Sequence, residues 1–355
     1  MTEKKFIKGV DLSFVDEIET EGGAFYDDNG KEVDVFELLH EHGVNAVRLR
    51  LWHTPNGGYC NLDRTIKMAK RAKQYGMDFL LNFHYSDYWA DPGKQAKPKV
   101  WEGYSLTELS NALYAYTKET IEACNKAGVT PTMVQVGNEI TNGMLWDEGK
   151  IYKKPNDVPK EDWDSVTTLL KAGLDAVNDA TPAGEKIETM IHIDRGGDNK
   201  GTRKFFDQME NYSLSYDVIG LSYYPWWHGP IEDFANNLND TAERYDRDIV
   251  VVEIAYPWML PNKTDSGDEP YVGDYLVEGY PATPEGQREY LINLMKIVAE
   301  IPNNRGIGTY YWEPCWIPSK ENWSVGHENN WSHLTLFDEK GKKLVSLDAY
   351  KKYIK

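Results

Sequence analysis

Cysteine is scarce in this chain, with only Cys60, Cys124 and Cys315 among 355 residues. An odd count without Cys-x-x-Cys spacing suggests neither a disulfide framework nor a zinc site. Long apolar runs are missing as well. No stretch approaches the roughly 20 residues that span a bilayer, so no membrane association is expected. The opening Met1-Thr2-Glu3-Lys4-Lys5-Phe6 lacks the apolar core of a signal peptide. As it stands the chain reads as cytoplasmic, or as a secreted protein whose leader has given way to a start methionine. Positive charge is in deficit: 57 acidic against 39 basic side chains leave −18. Such a surface repels phosphate backbones, so nucleic acid is not an expected partner. No glycine-rich phosphate loop follows an early strand, which argues against an open doubly wound sheet. Low-complexity segments and linkers are also absent, and one domain over 1–355 is expected.

What the chain does hold is aromatic surface. Twelve Trp and 23 Tyr exceed what an apolar core needs, because indole N–H and phenol O–H groups want partners. Surplus rings can stack on flat neutral ligands, including the apolar faces of sugars. Along the chain, short β-branched or aromatic runs alternate with longer helical patterns. Strands are predicted near 5–10, 46–52, 79–85, 132–138, 187–193, 218–224, 248–254 and 307–312. Helices are predicted near 34–42, 62–75, 105–127, 162–179, 202–211, 231–245, 285–300 and 346–353. Over 62–75, Leu62, Ile66, Ala69 and Ala72 form the expected inner face, and Gly76 suits a C-cap. Eight βα units imply a closed (β/α)8 barrel. Long connections over 255–284 and 313–345 follow strands seven and eight and carry aromatics, among them Tyr256, Trp258, Trp316, Trp323 and Trp331. In a barrel they rise from the face where active sites sit.

The chemistry concentrates at strand ends. The fourth strand ends Val136-Gly137-Asn138-Glu139 and the seventh Val251-Val252-Glu253-Ile254. A carboxylate that closes a buried run is costly unless paired or used. Two on strands facing across a barrel mouth fit glycosidic bond cleavage, where one carboxyl protonates the departing oxygen and the other meets the anomeric carbon. A structural ion pair is the plainer alternative. Other strand ends add Arg50 beside Trp52, His84 and Asp87, His192 and Asp194, Tyr223 and Tyr224, and Trp312. A lone buried histidine is usually a hydrogen-bonded core residue. Recurrence at one end of successive strands favours function for the group.

Extended motifs then carry a resemblance. They include Lys8-Gly9-Val10-Asp11, Arg48-Leu49-Arg50-Leu51-Trp52, and Asn82 through Pro92 (NFHYSDYWADP). Met133 through Glu139 (MVQVGNE), Ser222 through Gly229 (SYYPWWHG), Tyr311-Trp312-Glu313-Pro314 with Trp316, and Leu336-Phe337-Asp338 complete the set. Across nearly its whole length the sequence resembles glycoside hydrolase family 53, the arabinogalactan endo-β-1,4-galactanases. Asn-Glu after a strand says only "retaining glycosidase"; the HYSDYWADP and SYYPWWHG stretches look specific to the galactanases.

The resemblance implies that Glu139 is the acid/base and Glu253 the nucleophile. It implies that Asn138 bonds the sugar 2-hydroxyl, and that Arg50, His84 and one of Tyr223 or Tyr224 hold Glu253 charged. That division needs a low pKa for the nucleophile and a raised one for the acid. Trp312 would floor the central subsite, with Trp316, Trp226, Trp227 and His228 beside flanking sugars; Trp52, Asp87 and His192 are further candidates for substrate contact. The implied partner is a galactan polysaccharide or oligosaccharide, met by a monomer without a cofactor. Some bacterial relatives bind calcium between the loop after strand seven and the segment before Leu336. Here Thr264 through Pro270 faces Asn330-Trp331-Ser332-His333, which lacks the acidic ligand, so no metal is expected. Thr141 through Trp146 also departs from the family's glycines on the leaving-group side. Rival readings are another retaining β-1,4-glycanase of the clan, a binding barrel without catalysis, and a metal-dependent hydrolase using His84, His192 and Asp194.

Overall fold

A computed structural model describes residues 5–154, 158–263, 270–319 and 331–353. Eight strands form the expected barrel: β1 (Ile7–Asp11), β2 (Ala46–Leu51), β3 (Asp78–Phe83), β4 (Met133–Val136), β5 (Glu188–Ile193), β6 (Val218–Tyr223), β7 (Asp248–Ile254) and β8 (Gly306–Tyr311). Each pairs in parallel with its sequence neighbour, and β8 closes on β1. The intervening helices are α1 (Val35–Glu41), α2 (Leu62–Gln74), α3 (Leu106–Lys126), α4 (Trp163–Ala180), α5 (Asn199–Asn211), α6 (Ile231–Tyr245) and α7 (Pro284–Ala299), with α8 (Ala349–Lys352) last. Among the described residues no helix is long and apolar enough to cross a membrane.

Local chemistry sets the boundaries. Ser105 and Glu108 form a reciprocal capping box at the start of α3, satisfying two otherwise orphaned backbone donors. Asn61 caps α2, and Gly76 follows that helix at φ +69°. The buried stripe of α2 is Thr65, Met68, Ala69 and Ala72, with Leu62 and Ile66 only half-buried. The helix is therefore rotated from the predicted face. Short elements that escaped the sequence reading include helices over Val15–Thr20 and Pro225–His228 and two antiparallel pairs, Phe25–Tyr26 with Glu32–Val33 and Tyr152–Lys153 with Lys160–Glu161.

Period-two alternation divides the strands into two layers. Ala46, Leu80, Met133, Met190, Val218, Val250 and Ile307 fill the barrel interior. Their neighbours Val47, Leu81, Val134, Ile191, Ile219, Val251 and others pack outward against the helices. Complete burial of each Val, Leu, Ile or Met side chain among them is worth about 1.5–3 kcal/mol. Gly9 is required by this packing, since a Cβ there would lie 2.3 Å from the Tyr310 ring.

One buried carboxyl sits poorly. Glu17, on the Val15–Thr20 helix, is 1% exposed, and neither carboxyl oxygen has a hydrogen-bond partner among the described residues. Burial, with Glu21 nearby, pushes its pKa from 4.5 up to about 9. The native state keeps a proton there that the unfolded chain releases, so stability falls as pH rises between those two values. Glu17→Gln is expected to raise Tm by a few degrees at pH 8 and by much less at pH 5. A pH series of thermal melts checks this, and a gain that does not grow with pH would count against it.

Candidate active site

The same alternation aims the polar residues. On β2, Ala46 faces inward, and so do Arg48 and Arg50, each two residues further toward the mouth. On β3 the inward positions reach Asn82 and His84, on β4 Gln135, and on β5 His192. On β6 they run from Val218 through Ser222 to Tyr224. Strand β7 breaks the rule. Val250 and Val252 belong to the inner cluster and Ile249, Val251 and Ile254 to the outer one, so strict alternation would turn Glu253 outward. The register against β6 shifts between Leu221 and Ser222, where Leu221 pairs with Val251 but Ser222 with Glu253. Bulges of this kind re-aim side chains beside active sites. Here the bulge turns Glu253 into the mouth.

Glu139 arrives by a different device. Gly137 has φ +85°, and Glu139 itself is left-handed at φ 48°, ψ 50°. Such a conformation costs of order 1–3 kcal/mol. It opens the turn Ile140–Asn142 and leaves the carboxyl half-buried at the mouth. One oxygen of Glu139 and one of Glu253 lie within 4.8 Å of each other. Both line a cavity of about 860 Å³.

Their surroundings differ. Oε1 of Glu253 accepts from Arg48 Nη2 at 2.9 Å, and Oε2 accepts from the Tyr224 hydroxyl at 3.1 Å. Arg48 also donates to Asp11 at 2.9 Å, to Asn138 Oδ1 at 2.7 Å and to Gln135 Oε1 at 3.2 Å. Among the described residues Glu139 has no cationic partner of that kind; its Oε1 accepts from the Ser222 hydroxyl at 2.6 Å. Burial raises the pKa of both carboxyls, and the negative charge of Glu253 raises that of Glu139 further. At Glu253 the Arg48 charge offsets much of the burial. The expected low pKa for Glu253 is thus corrected: the two carboxyls differ in how far each is raised, with Glu139 the higher.

The residues expected to hold Glu253 also need correction. Arg50, one step above Arg48, bonds Glu313 at 2.6 Å, its guanidinium lying 4.2 Å and 4.3 Å from the rings of Phe14 and Trp89. Arg48 takes the predicted role because its layer is level with Asn138 and Glu253. His84 lines the cavity, but its Nδ1 accepts from Trp52 Nε1 and Ala90 N, each at 3.1 Å, and it makes no hydrogen bond to Glu253. Of the two tyrosines, Tyr224 reaches Glu253. Tyr223 faces outward, stacks on Phe234 at 4.1 Å and donates to Gly229 O.

Asn138, Trp226, His228, Trp312 and Trp316 line the cavity with Arg50, His84 and Tyr224. His228 accepts from Tyr224 N at 2.9 Å, and burial lowers its pKa to about 4. Trp227 is 46% exposed at the rim. Trp52, Asp87, His192 and Tyr223 are not on the wall. Trp52 is buried behind His84, and Asp87 accepts from Thr54 N and Lys99 N, tying two loops together. His192 spends both ring nitrogens on hydrogen bonds beneath Glu139. The residues missed by the sequence reading are Asp11, Arg48, Asn82, Gln135, Ser222 and Glu313. Inward parity would have found the middle four. Of the segments on which the calcium expectation rests, 264–269 and Asn330 lie outside the described residues, as does Trp323.

The family model described as glycosyl hydrolase family 53 matches residues 7–350. An uncharacterized Niallia circulans protein, known by its place in the bgaB 5′ region, is 51% identical over 99% of this chain and 95% of its own. The arabinogalactan endo-beta-1,4-galactanase of Cellvibrio japonicus is 38% identical over 94% and 86%. Among solved structures, the Ignisphaera aggregans GH53 catalytic domain superposes with a TM-score of 0.88 at 37% identity, covering 99% of this chain and 97% of that one.

Proposed function

This chain belongs to glycosyl hydrolase family 53, and on that footing we propose that it is an endo-β-1,4-galactanase acting by retaining double displacement. The observation that carries the mechanism is the facing of the two carboxyls across one cavity, with an oxygen of each within 4.8 Å of the other. Retaining glycosidases hold theirs about 5–5.5 Å apart, whereas inverting enzymes leave about 6.5–9.5 Å for a water. In this reading Glu253, held by Arg48 and Tyr224, attacks the anomeric carbon of a β-1,4-linked galactosyl unit. Glu139 donates its proton to the leaving 4-oxygen, then takes one from the water that releases the sugar from Glu253. Asn138 has three donors on its Oδ1 and Ala90 O on Nδ2. One Nδ2 hydrogen is left to meet the substrate's 2-hydroxyl. Trp312 floors the central subsite, set edge-on against Trp331 at 4.6 Å. The reading further takes the chain as one catalytic domain acting as a monomer.

Incubation with galactan, arabinogalactan, xylan, glucomannan and cellulose tests the substrate; cleavage confined to the first two is expected, and preferred xylan cleavage would move the chain to another β-1,4-glycanase. In an NMR time course the β-anomer should form first and mutarotate later, and an α-anomer at the start would end the retaining assignment. Glu139→Ala should lose roughly 10²–10⁴ in turnover. An aryl galactobioside with a good leaving group should be hurt least at the first step, and azide should restore release as a β-galactosyl azide.

A further inference from the structure

Four side chains, Arg48, Gln135, His192 and Ser222, join the two carboxyls below the cavity floor, and the direction of each hydrogen bond between them is fixed by chemistry. Arg48 can only donate, so the Gln135 atom 3.2 Å from its Nε is the amide oxygen. The amide nitrogen of Gln135 therefore faces His192 Nδ1 at 3.0 Å. The backbone N–H of Glu139, another obligate donor, points at the same Nδ1 from 3.3 Å. With Nδ1 accepting, the neutral imidazole carries its hydrogen on Nε2 and donates to the Ser222 hydroxyl at 2.8 Å. Ser222 then has its own proton to give, and the Glu139 Oε1 at 2.6 Å receives it. His192 and Ser222 are both wholly buried.

We propose that Ser222, oriented by His192, is a positioning residue for the acid/base: its hydroxyl makes Oε1 of Glu139 a standing acceptor, so the proton delivered to the leaving oxygen is carried on Oε2. The inference rests on the assignment of Glu139 as acid/base and adds which oxygen acts and what fixes it. It also gives His192 a role that is not substrate contact. The Ser222 hydrogen bond is charge-assisted when Glu139 is ionised. The other groups facing Glu139 are Glu253 from β7, Asp194 from the end of β5, Asp91 from the loop after β3, and Tyr224 from the end of β6. None of them changes when Ser222 is altered, so a shift on substitution reports the hydroxyl.

Ser222→Ala, Ser222→Thr and Glu139→Ala are compared with the parent enzyme, with Tm measured for each. Activity in kcat/KM is lost as pH rises through the apparent pKa at which the proton donor ionises. Removing a donor to the ionised form destabilises that form, so the basic limb of Ser222→Ala should move up by about one pH unit. At neutral pH its kcat on galactan should fall about tenfold, and on an activated aryl galactobioside much less in bond cleavage. Ser222→Thr, which keeps the hydroxyl, should retain the parent's limb. An unmoved basic limb in Ser222→Ala, or an equal loss on both substrates with raised KM, would overturn the proposal. Glu139→Ala separates the two levels: without a β-galactosyl azide product the acid/base assignment itself falls, while azide rescue beside an unmoved Ser222→Ala limb removes only the role of Ser222.

Discussion

Glu253→Gln is expected to abolish measurable galactan cleavage, lowering kcat by roughly 10⁵–10⁶-fold, as loss of a covalent nucleophile does elsewhere. The amide keeps the shape of the carboxyl and one acceptor for Arg48, so folding should survive. On the proposed mechanism, what disappears is the attacking oxygen anion. A 2-deoxy-2-fluoro galactobioside with a good leaving group should add one glycosyl mass to the parent enzyme and none to the variant. The substitution should also act on Glu139. The Glu253 charge ranks next after burial among the causes that raise the Glu139 pKa, and in the variant that pKa should fall. The two carboxyls titrate as a pair in the parent, and the variant leaves one group. A variant retaining more than about one per cent of activity would move the nucleophile elsewhere.

How much of this was legible in the sequence depends on what each feature rests upon. Strand and helix positions follow from short-range periodicity, and the eight predicted strands agree with the observed ones to within a few residues. The two glutamates stood out because a carboxylate at a strand end is costly. Their aim could not be read. Glu253 faces the cavity through a bulge that contradicts alternation counted from Val250, and Glu139 through a left-handed turn that a glycine two residues earlier makes reachable. Alternation could have decided between Tyr223 and Tyr224, because Val218 and Ser222 share the parity of Tyr224. It could not decide between Arg48 and Arg50. Both point inward, and only their height in the barrel separates them. The rotation of α2 is a similar case: Met68 and Thr65 displaced Leu62 and Ile66 because the barrel wall, not the sequence pattern, sets the buried face.

That difference in height yields the second large effect. Arg48 is wholly buried and donates to Asp11, Gln135, Asn138 and Glu253 at once. Arg48→Met would leave the carboxylates of Asp11 and Glu253 without their shared cation, and breaking a buried pair from one side costs about 3–5 kcal/mol. Urea denaturation should show that loss. Arg48→Lys keeps the charge but offers one ammonium where a planar fork now serves four acceptors. Its stability loss should be smaller, yet the Glu253 carboxylate would be less well stabilised and its pKa would rise. Because Glu253, as the proposed nucleophile, must be charged to attack, activity should be lost as pH falls through that pKa, so the acidic limb of kcat/KM should move to higher pH. Arg50→Lys supplies the control. Arg50 answers to Glu313, between the rings of Phe14 and Trp89, and its replacement should leave the acidic limb in place even if Tm drops. A limb that moved with Arg50 and not with Arg48 would restore the sequence-based assignment.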